Sequence, residues 1–274
     1  MIQDIYPDRM DIAFRACTAG EEDFLMRFDP EGRAAVRISE GEIQFPTGRE
    51  FSAPEAVYLF SVSGKRYFLC PGEEGACPAG YEFLALRELR DLIGKGKELF
   101  AAFTGYHLWK WYRENRFCGR CGGKTGLHGT ERALACGACG NVIYPRINPA
   151  VIVGVIRGES LLITRYRNGY AHNALVAGFA EIGETLEETV AREVMEETGV
   201  KVRNIRYYKS QPWGMAQDLL AGFFCEAEGD GEIRMDAGEL KYAEWVPRSE
   251  IVPQPNDLSL TNEMMKQFKS GAIT

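Results

Sequence analysis

Two groups of residues carry chemistry by their type and spacing. Glu193, Glu196 and Glu197 stand at i, i+3 and i+4, which on a helix gathers three carboxylates into one sector of roughly 100°. Leu186 and Val190 project into much the same sector one and two turns earlier, so the acids adjoin the face that must be buried. Like charges so placed repel one another, and partial burial strengthens the repulsion. A solvated charge run would lie opposite the apolar stripe; divalent cations among the carboxylates resolve the conflict. Hard oxygen ligands favour Mg2+ or Mn2+, which also bind substrate phosphates. An acidic surface helix is the competing reading. Arg192 is placed to pair with Glu188 or Glu196 and hold the rotamers.

The second group is Cys118, Cys121, Cys136 and Cys139, two C-x2-C knuckles separated by fourteen residues. This closely approaches the paired-knuckle zinc pattern, one residue short in the linker. Two pairs of thiolates complete a tetrahedron around Zn2+. Such a site has no open coordination position and is structural rather than catalytic, stabilising a segment too short to build its own core.

Local patterns predict the elements that position these groups. Thr185 followed by Glu188 reads as a capping box and Gly199 as a stop, so the acidic helix runs from Leu186 to Thr198. Residues 1–96 read as a β-rich domain, with one hairpin turning at 39–41 and another at 63–65. Residues 97–116 form a connecting helix whose Leu99, Phe103, Tyr106, Trp109 and Arg113 recur at three- and four-residue steps; this stripe reads as packing rather than a base-stacking platform. The zinc ribbon occupies 117–146. Residues 147–274 alternate strand and helix, as an α/β domain does.

The whole chain has 274 residues, 45% apolar and 26% charged, with net charge -7 and pI near 5.3. This is globular composition and argues against a dedicated nucleic-acid binder, although Arg120, Lys124, Arg132 and Arg146 outnumber Glu131 in the ribbon. An anionic substrate requires local neutralisation, which a bound metal supplies. No segment approaches the ~18 apolar residues of a membrane span, and Asp4, Asp8 and Asp11 precede any apolar run. The expectation is a cytoplasmic protein without disulfides, in which Cys17, Cys70, Cys77 and Cys225 are small buried apolar residues.

The run from Gly178 to Val200 has the spacing G-x5-E-x7-R-E-U-x-E-E-x-G-U, with U apolar. Every fixed position resembles the Nudix box. The resemblance implies a Nudix hydrolase: a C-terminal α/β/α sandwich with a mixed sheet, whose loop and helix bind divalent metals and which hydrolyses a nucleoside diphosphate linked to another group. The preceding ribbon, the run Tyr144, Pro145, Arg146, Ile147, Asn148, Pro149, and then Ser210, Gln211, Pro212, Trp213 resemble the bacterial NADH pyrophosphatase subfamily. That likeness extends from about Trp109 to the C-terminus; the N-terminal third matches only in size and β-rich character. One stretch departs. The subfamily signature continues Pro-Phe-Pro-x-Ser after the tryptophan, whereas this chain has Gly214, Met215, Ala216, Gln217 and Asp218. Losing two prolines and an aromatic predicts a looser loop and an altered face of the substrate pocket.

By this resemblance Glu193, Glu196 and Glu197 ligate Mg2+ or Mn2+ and carry catalysis, joined by Glu239, while Glu184 orients the loop. Several Nudix arrangements use different general bases, so that role stays open among the carboxylates. Phe179 stacks on a substrate ring; Tyr144, Gln211 and Trp213 line the pocket; Arg87 reaches the substrate from the N-terminal domain. His107, His128 and His172 show no partner pattern. The implied activity is metal-dependent hydrolysis of NAD(H) to AMP and NMN(H), extending to the NAD cap of RNA, by a homodimer. The alternatives are a Nudix hydrolase preferring ADP-ribose or another nucleoside diphosphate derivative, and a zinc-ribbon nucleotide- or RNA-binding protein without catalysis. The intact carboxylates argue against the last.

Overall fold

A computed structural model describes residues 1–71, 77–167 and 172–273. The chain divides into two compact units, one of Met1, Ile147–Pro212 and Asp218–Thr274, the other of Ile2–Arg146 and Trp213–Gln217. The β-rich segment, connecting helix and ribbon therefore lie within a single unit, which ends next to the expected boundary at 147.

That unit opens with β1 Met10–Asp11, β2 Phe24–Met26, β3 Ala34–Ser39, β4 Glu42–Gln44, β5 Val57–Val62, β6 Lys65–Leu69 and β7 Glu82–Leu84. They make two small sheets, ordered β1-β5-β6-β2 and β4-β3-β7. Both expected hairpins form, β3–β4 and β5–β6, each through a two-residue turn with positive φ that suits the strand twist. Helices α1 Leu86–Ile93 and α2 Lys97–Glu114 follow. In α2, Leu99, Phe103 and Trp109 are buried together with Trp111, and the Trp109 ring lies 5.2 Å from Phe28 and 5.3 Å from Tyr106. The aromatic stripe is packing.

The ribbon is a three-stranded antiparallel sheet of β8 Thr125–Leu127, β9 Leu134–Cys136 and β10 Val142–Ile143, ordered β10-β9-β8. Arg132 ties it to the N-terminal strands by donating to the carbonyls of Ile12, at 3.0 Å, and Leu59. Arg146 sits 3.9 Å from Glu114 and donates to Gln217 Oε1 at 3.4 Å. Two of the four ribbon cations are thus committed within the fold.

The other unit is built from β11 Asn148–Arg157, β12 Ser160–Tyr166, β13 Val176–Phe179, α3 Leu186–Thr198, β14 Val202–Trp213, β15 Asp218–Ala227, β16 Leu240–Pro247 and α4 Leu260–Lys269. Its sheet runs β14-β15-β11-β12-β16, with β13 also paired to β11. β15 is parallel to β11, whereas β12 and β13 are antiparallel to it, so the sheet is mixed. Val151, Val153 and Val155 of β11 pack with Val190 and Val194 of α3. Ile152 and Ile156, facing the other way, pack with Leu260, Met264 and Phe268 of α4. Helices on both faces make the expected α/β/α sandwich and explain why β11 is almost continuously apolar rather than alternating. Of the other cysteines, Cys70 and Cys225 are buried and Cys17 and Cys77 half-buried. Among the described residues no helix is long and apolar enough to cross a membrane.

Candidate active site and zinc centre

Helix α3 begins at Thr185, whose hydroxyl accepts the Glu188 N–H at 3.2 Å while the Glu188 carboxylate accepts the Thr185 N–H at 2.8 Å. It ends where the Gly199 N–H closes on the Met195 carbonyl. The predicted capping box and both predicted ends are present. The box takes Glu188 out of reach of Arg192, so that half of the expected pairing does not form. Arg192 instead donates to Glu184 at 2.6 and 2.9 Å, Glu193 at 2.8 Å, Glu196 at 3.0 Å and the Phe179 carbonyl at 2.9 Å.

Glu184 also accepts the Glu181 N–H at 3.0 Å and the Thr189 hydroxyl at 3.0 Å. The Arg192 hydrogen bonds, then the Glu181 amide, hold its carboxyl down at about 2. Its oxygens are committed to the loop, in accord with an orienting role.

The Glu193 carboxylate lies directly over Gly178 of β13, where an added Cβ would sit 1.9 Å from Glu193 Cδ. Glycine at the start of the box is required by this close approach, not by a special backbone angle. Burial raises the Glu193 carboxyl, against the pull of Arg192. Glu197 is 1% exposed. Its carboxylate accepts the Tyr166 hydroxyl at 2.9 Å and 3.2 Å through its two oxygens, and the same hydroxyl accepts the Ala177 N–H at 3.1 Å. Burial pushes the Glu197 carboxyl up to about 8; the Tyr166 hydrogen bond opposes this, and the charges of Glu239 and Glu193 add to it. Glu239, exposed just before β16, is therefore close enough to act electrostatically on both acids. Glu196 faces solvent beside them.

Tyr166 was not among the residues singled out from sequence. It lies 31 positions from Glu197 and meets it only because β12 and β13 share the β11 edge. A register shift between Arg165 and Tyr166 marks the spot in the structure, but no local pattern marks it in the sequence.

The remaining expected pocket residues fare differently. Phe179 is 52% exposed at the end of β13, open to a planar ligand. Gln211 is fully buried; its amide donates to the Leu258 carbonyl at 2.7 Å and accepts the Leu260 N–H at 2.7 Å. It anchors the start of α4 rather than lining a pocket, because both ends of its amide answer backbone groups. Trp213 packs edge-on against Phe103 at 5.2 Å, which is the packing role of an aromatic. Tyr144 is exposed on the ribbon, its hydroxyl 2.8 Å from Glu131. Arg87 is exposed in the first turn of α1. The 213–217 segment is not loose: a Cβ on Gly214 would lie 2.0 Å from the Phe103 carbonyl oxygen, and Ala216 and Gln217 close turns on Trp213 and Gly214.

In the ribbon, Cys118 and Cys139 sulfurs lie 3.7 Å apart and Cys121 and Cys136 sulfurs 3.5 Å apart, all four within 4.8 Å of one another. Tetrahedral Zn–S bonds of about 2.3 Å set sulfur separations near 3.8 Å, so the four form a structural zinc site. Backbone N–H groups of Arg120 and Cys121 lower the Cys118 thiol to about 6, and those of Cys139 and Ala138 lower Cys136, favouring the thiolates that zinc needs.

Comparison with known proteins bears on both sites. The NUDIX domain matches residues 146–268 and the NADH pyrophosphatase zinc ribbon domain matches 113–144. A protein named NAD-capped RNA hydrolase NudC, from Erwinia tasmaniensis, is 45% identical over 215 residues, 77% of this chain and 81% of that protein. This chain belongs to the Nudix hydrolase family. A Nudix protein of the same name from Klebsiella pneumoniae is 44% identical over 161 residues, covering 57% of this chain and 62% of its own length; the chain thus matches less than two thirds of that relative. A Nudix hydrolase structure from Nitrosomonas europaea, 22% identical, covers 57% of this chain and 90% of its own with a TM-score of 0.50, a likeness of fold. Within the Nudix sandwich, Gly178, Glu184, Arg192, Glu193, Glu196 and Glu197 form one connected group on the loop and α3.

Proposed function

We propose that this chain is a metal-dependent diphosphatase that cuts the pyrophosphate bond of NAD(H) to AMP and NMN(H), and that it removes the NAD cap from RNA by the same reaction. One juxtaposition carries the reading: the complete acidic group around the buried Glu197 occurs in a chain whose ribbon is of the NADH pyrophosphatase type. The names of the Erwinia and Klebsiella relatives support it.

The donor set fits a hard divalent cation. Every group is a carboxylate oxygen, Glu193 and Glu197 are raised by burial, and among the described residues Arg192 is the cation in ion-pair contact with the cluster. Glu193, Glu196, Glu197 and Glu239 would hold Mg2+ or Mn2+. Bound there, such ions neutralise charge growing on the phosphate oxygens and lower the pKa of water. The protein's share is placement. Arg192 fixes Glu193 and Glu196, Tyr166 fixes both oxygens of Glu197, and Phe179 offers a face for a substrate ring. Water oxygen bonds to one phosphorus as the bridging P–O bond breaks in line, leaving one phosphate on each nucleoside.

The same reading makes the protein a cytoplasmic homodimer, which its subfamily resemblance supports and sedimentation would test. The activity itself is tested by offering NADH, NAD, ADP-ribose, a diadenosine polyphosphate and NAD-capped RNA with Mg2+ or Mn2+ and resolving products by mass. Fastest release of AMP and NMNH from NADH, with monophosphate-ended RNA from the capped transcript, is expected. Faster cleavage of ADP-ribose would overturn the substrate assignment.

A further inference from the structure

The carboxyl group of Asp218 has no answer within the fold. Asp218 begins β15 and pairs with Asn148 across the parallel β11–β15 ladder. It is 5% exposed, yet its Oδ1 meets no hydrogen-bond partner among the described residues. Burial pushes the carboxyl up to about 7, opposed by its own backbone N–H. Burying a carboxylate without a donor is costly, and a fold that needed only volume here would be served by a neutral residue. Buried acids left without a protein partner are characteristic of places where a ligand brings the partner.

Its place in the sheet indicates which ligand. The β11 register sets Phe179 opposite Ala150 on one side and Asp218 opposite Asn148 on the other. Asn148 and Ala150 are two residues apart, so Phe179 and Asp218 flank the same end of β11. Side chains alternate along a strand; Ala177, two before Phe179, and Leu220, two after Asp218, both pack in the α4 cluster. Phe179 and Asp218 therefore belong to one face at one end of the sheet. An open aromatic ring and an acceptor lacking a donor stand together there, the combination that recognises a nucleoside.

We propose that Asp218 is a substrate-recognition residue whose carboxylate accepts a hydrogen bond from an O–H or N–H donor on one nucleoside unit of the dinucleotide. This inference rests on the NAD(H) reading above. The subfamily signature has serine at this position. A serine hydroxyl both donates and accepts, whereas a carboxylate only accepts and repels anions, so the acid makes this chain choosier toward that unit. The donor is a ribose hydroxyl, the adenine amino group or the nicotinamide carboxamide; all three share the same chemistry.

The test is steady-state kinetics at saturating Mg2+ with NAD and three altered dinucleotides, for the native protein, Asp218→Asn and Asp218→Ser. NADP places a phosphate on the adenosine ribose, nicotinamide hypoxanthine dinucleotide lacks the adenine amino group, and nicotinic acid adenine dinucleotide replaces the carboxamide with a carboxylate. The native protein is expected to disfavour one of these at least about tenfold in kcat/KM, chiefly through KM, as loss of a hydrogen bond to a charged group predicts. Asp218→Ser is expected to narrow that ratio about fivefold or more, and the analogue that responds identifies the donor. Asp218→Asn keeps the shape of the side chain, so the comparison survives if the serine variant folds poorly. Unchanged ratios for every analogue in folded variants would overturn the proposal while leaving the NAD(H) reading intact. Cleavage of none of the dinucleotides by the native protein would instead overturn that reading, and this inference with it.

Discussion

The Tyr166 hydroxyl bridges β13 and α3: it donates to both oxygens of Glu197, at 2.9 and 3.2 Å, while accepting the Ala177 N–H at 3.1 Å. A carboxylate that must ionise beneath a helix is thereby held in one rotamer by a donor that is itself fixed by the backbone. Tyr166→Phe removes that donor and keeps the ring. Mn2+ titrated into the variant and followed by electron paramagnetic resonance should bind about tenfold more weakly, with the melting temperature little changed. Unaltered Mn2+ affinity would show that Tyr166 is only packing.

The pH dependence of stability should carry the signature of Glu197. Its folded-state pKa, about 8, lies above the model value of 4.5, so the folded state binds the extra proton between these values. That contribution to stability is full below about pH 4.5 and is lost as pH rises through 8. Asp218 and Glu193 are raised as well, so the decisive comparison is between the native protein and Glu197→Gln. In metal-free buffer, melting temperature should fall more steeply between pH 5 and 8 in the native protein than in the variant. Mg2+ or Mn2+ should restore it most at the alkaline end. Parallel curves for the two proteins would contradict the account.

Gly178→Ala should damage the site from below. The new methyl would occupy the space of the Glu193 carboxylate, displacing it from Arg192. Turnover is expected to fall about 100-fold while circular dichroism stays native. Full activity would mean that the Glu193 position is not critical.

Much of this site was legible because it is local in sequence. The capping pair Thr185 and Glu188, the stop at Gly199 and the carboxylate spacing are all set within one helix, and the cysteine knuckles within one ribbon. What eluded the sequence is set by the sheet. Tyr166 reaches Glu197 through strand pairing, and nothing at fixed spacing announces it. Gln211 sits in a signature run and reads as a ligand-facing amide until its two backbone partners are seen. Trp213 finds its packing partner, Phe103, over a hundred positions away. The N-terminal hairpins were visible from their turns, but the parallel β2–β6 pairing that joins separate strands into a sheet was not.

The ribbon's metal should be structural. Serine at Cys118 and Cys121 should release zinc, measured by mass spectrometry of the native protein, and lower the melting temperature by about 5 °C or more. A zinc-free variant with unchanged melting would refute the role.

The central claim, that the acidic group around Glu197 hydrolyses a dinucleotide pyrophosphate with a divalent metal, is met most directly by the rate of NADH cleavage across a Mn2+ titration for the native protein and Glu197→Gln. The account predicts metal-dependent formation of AMP and NMNH by the native protein and a loss of several orders of magnitude in a variant that remains folded. Equal rates in the two proteins, or cleavage indifferent to the metal, would contradict it.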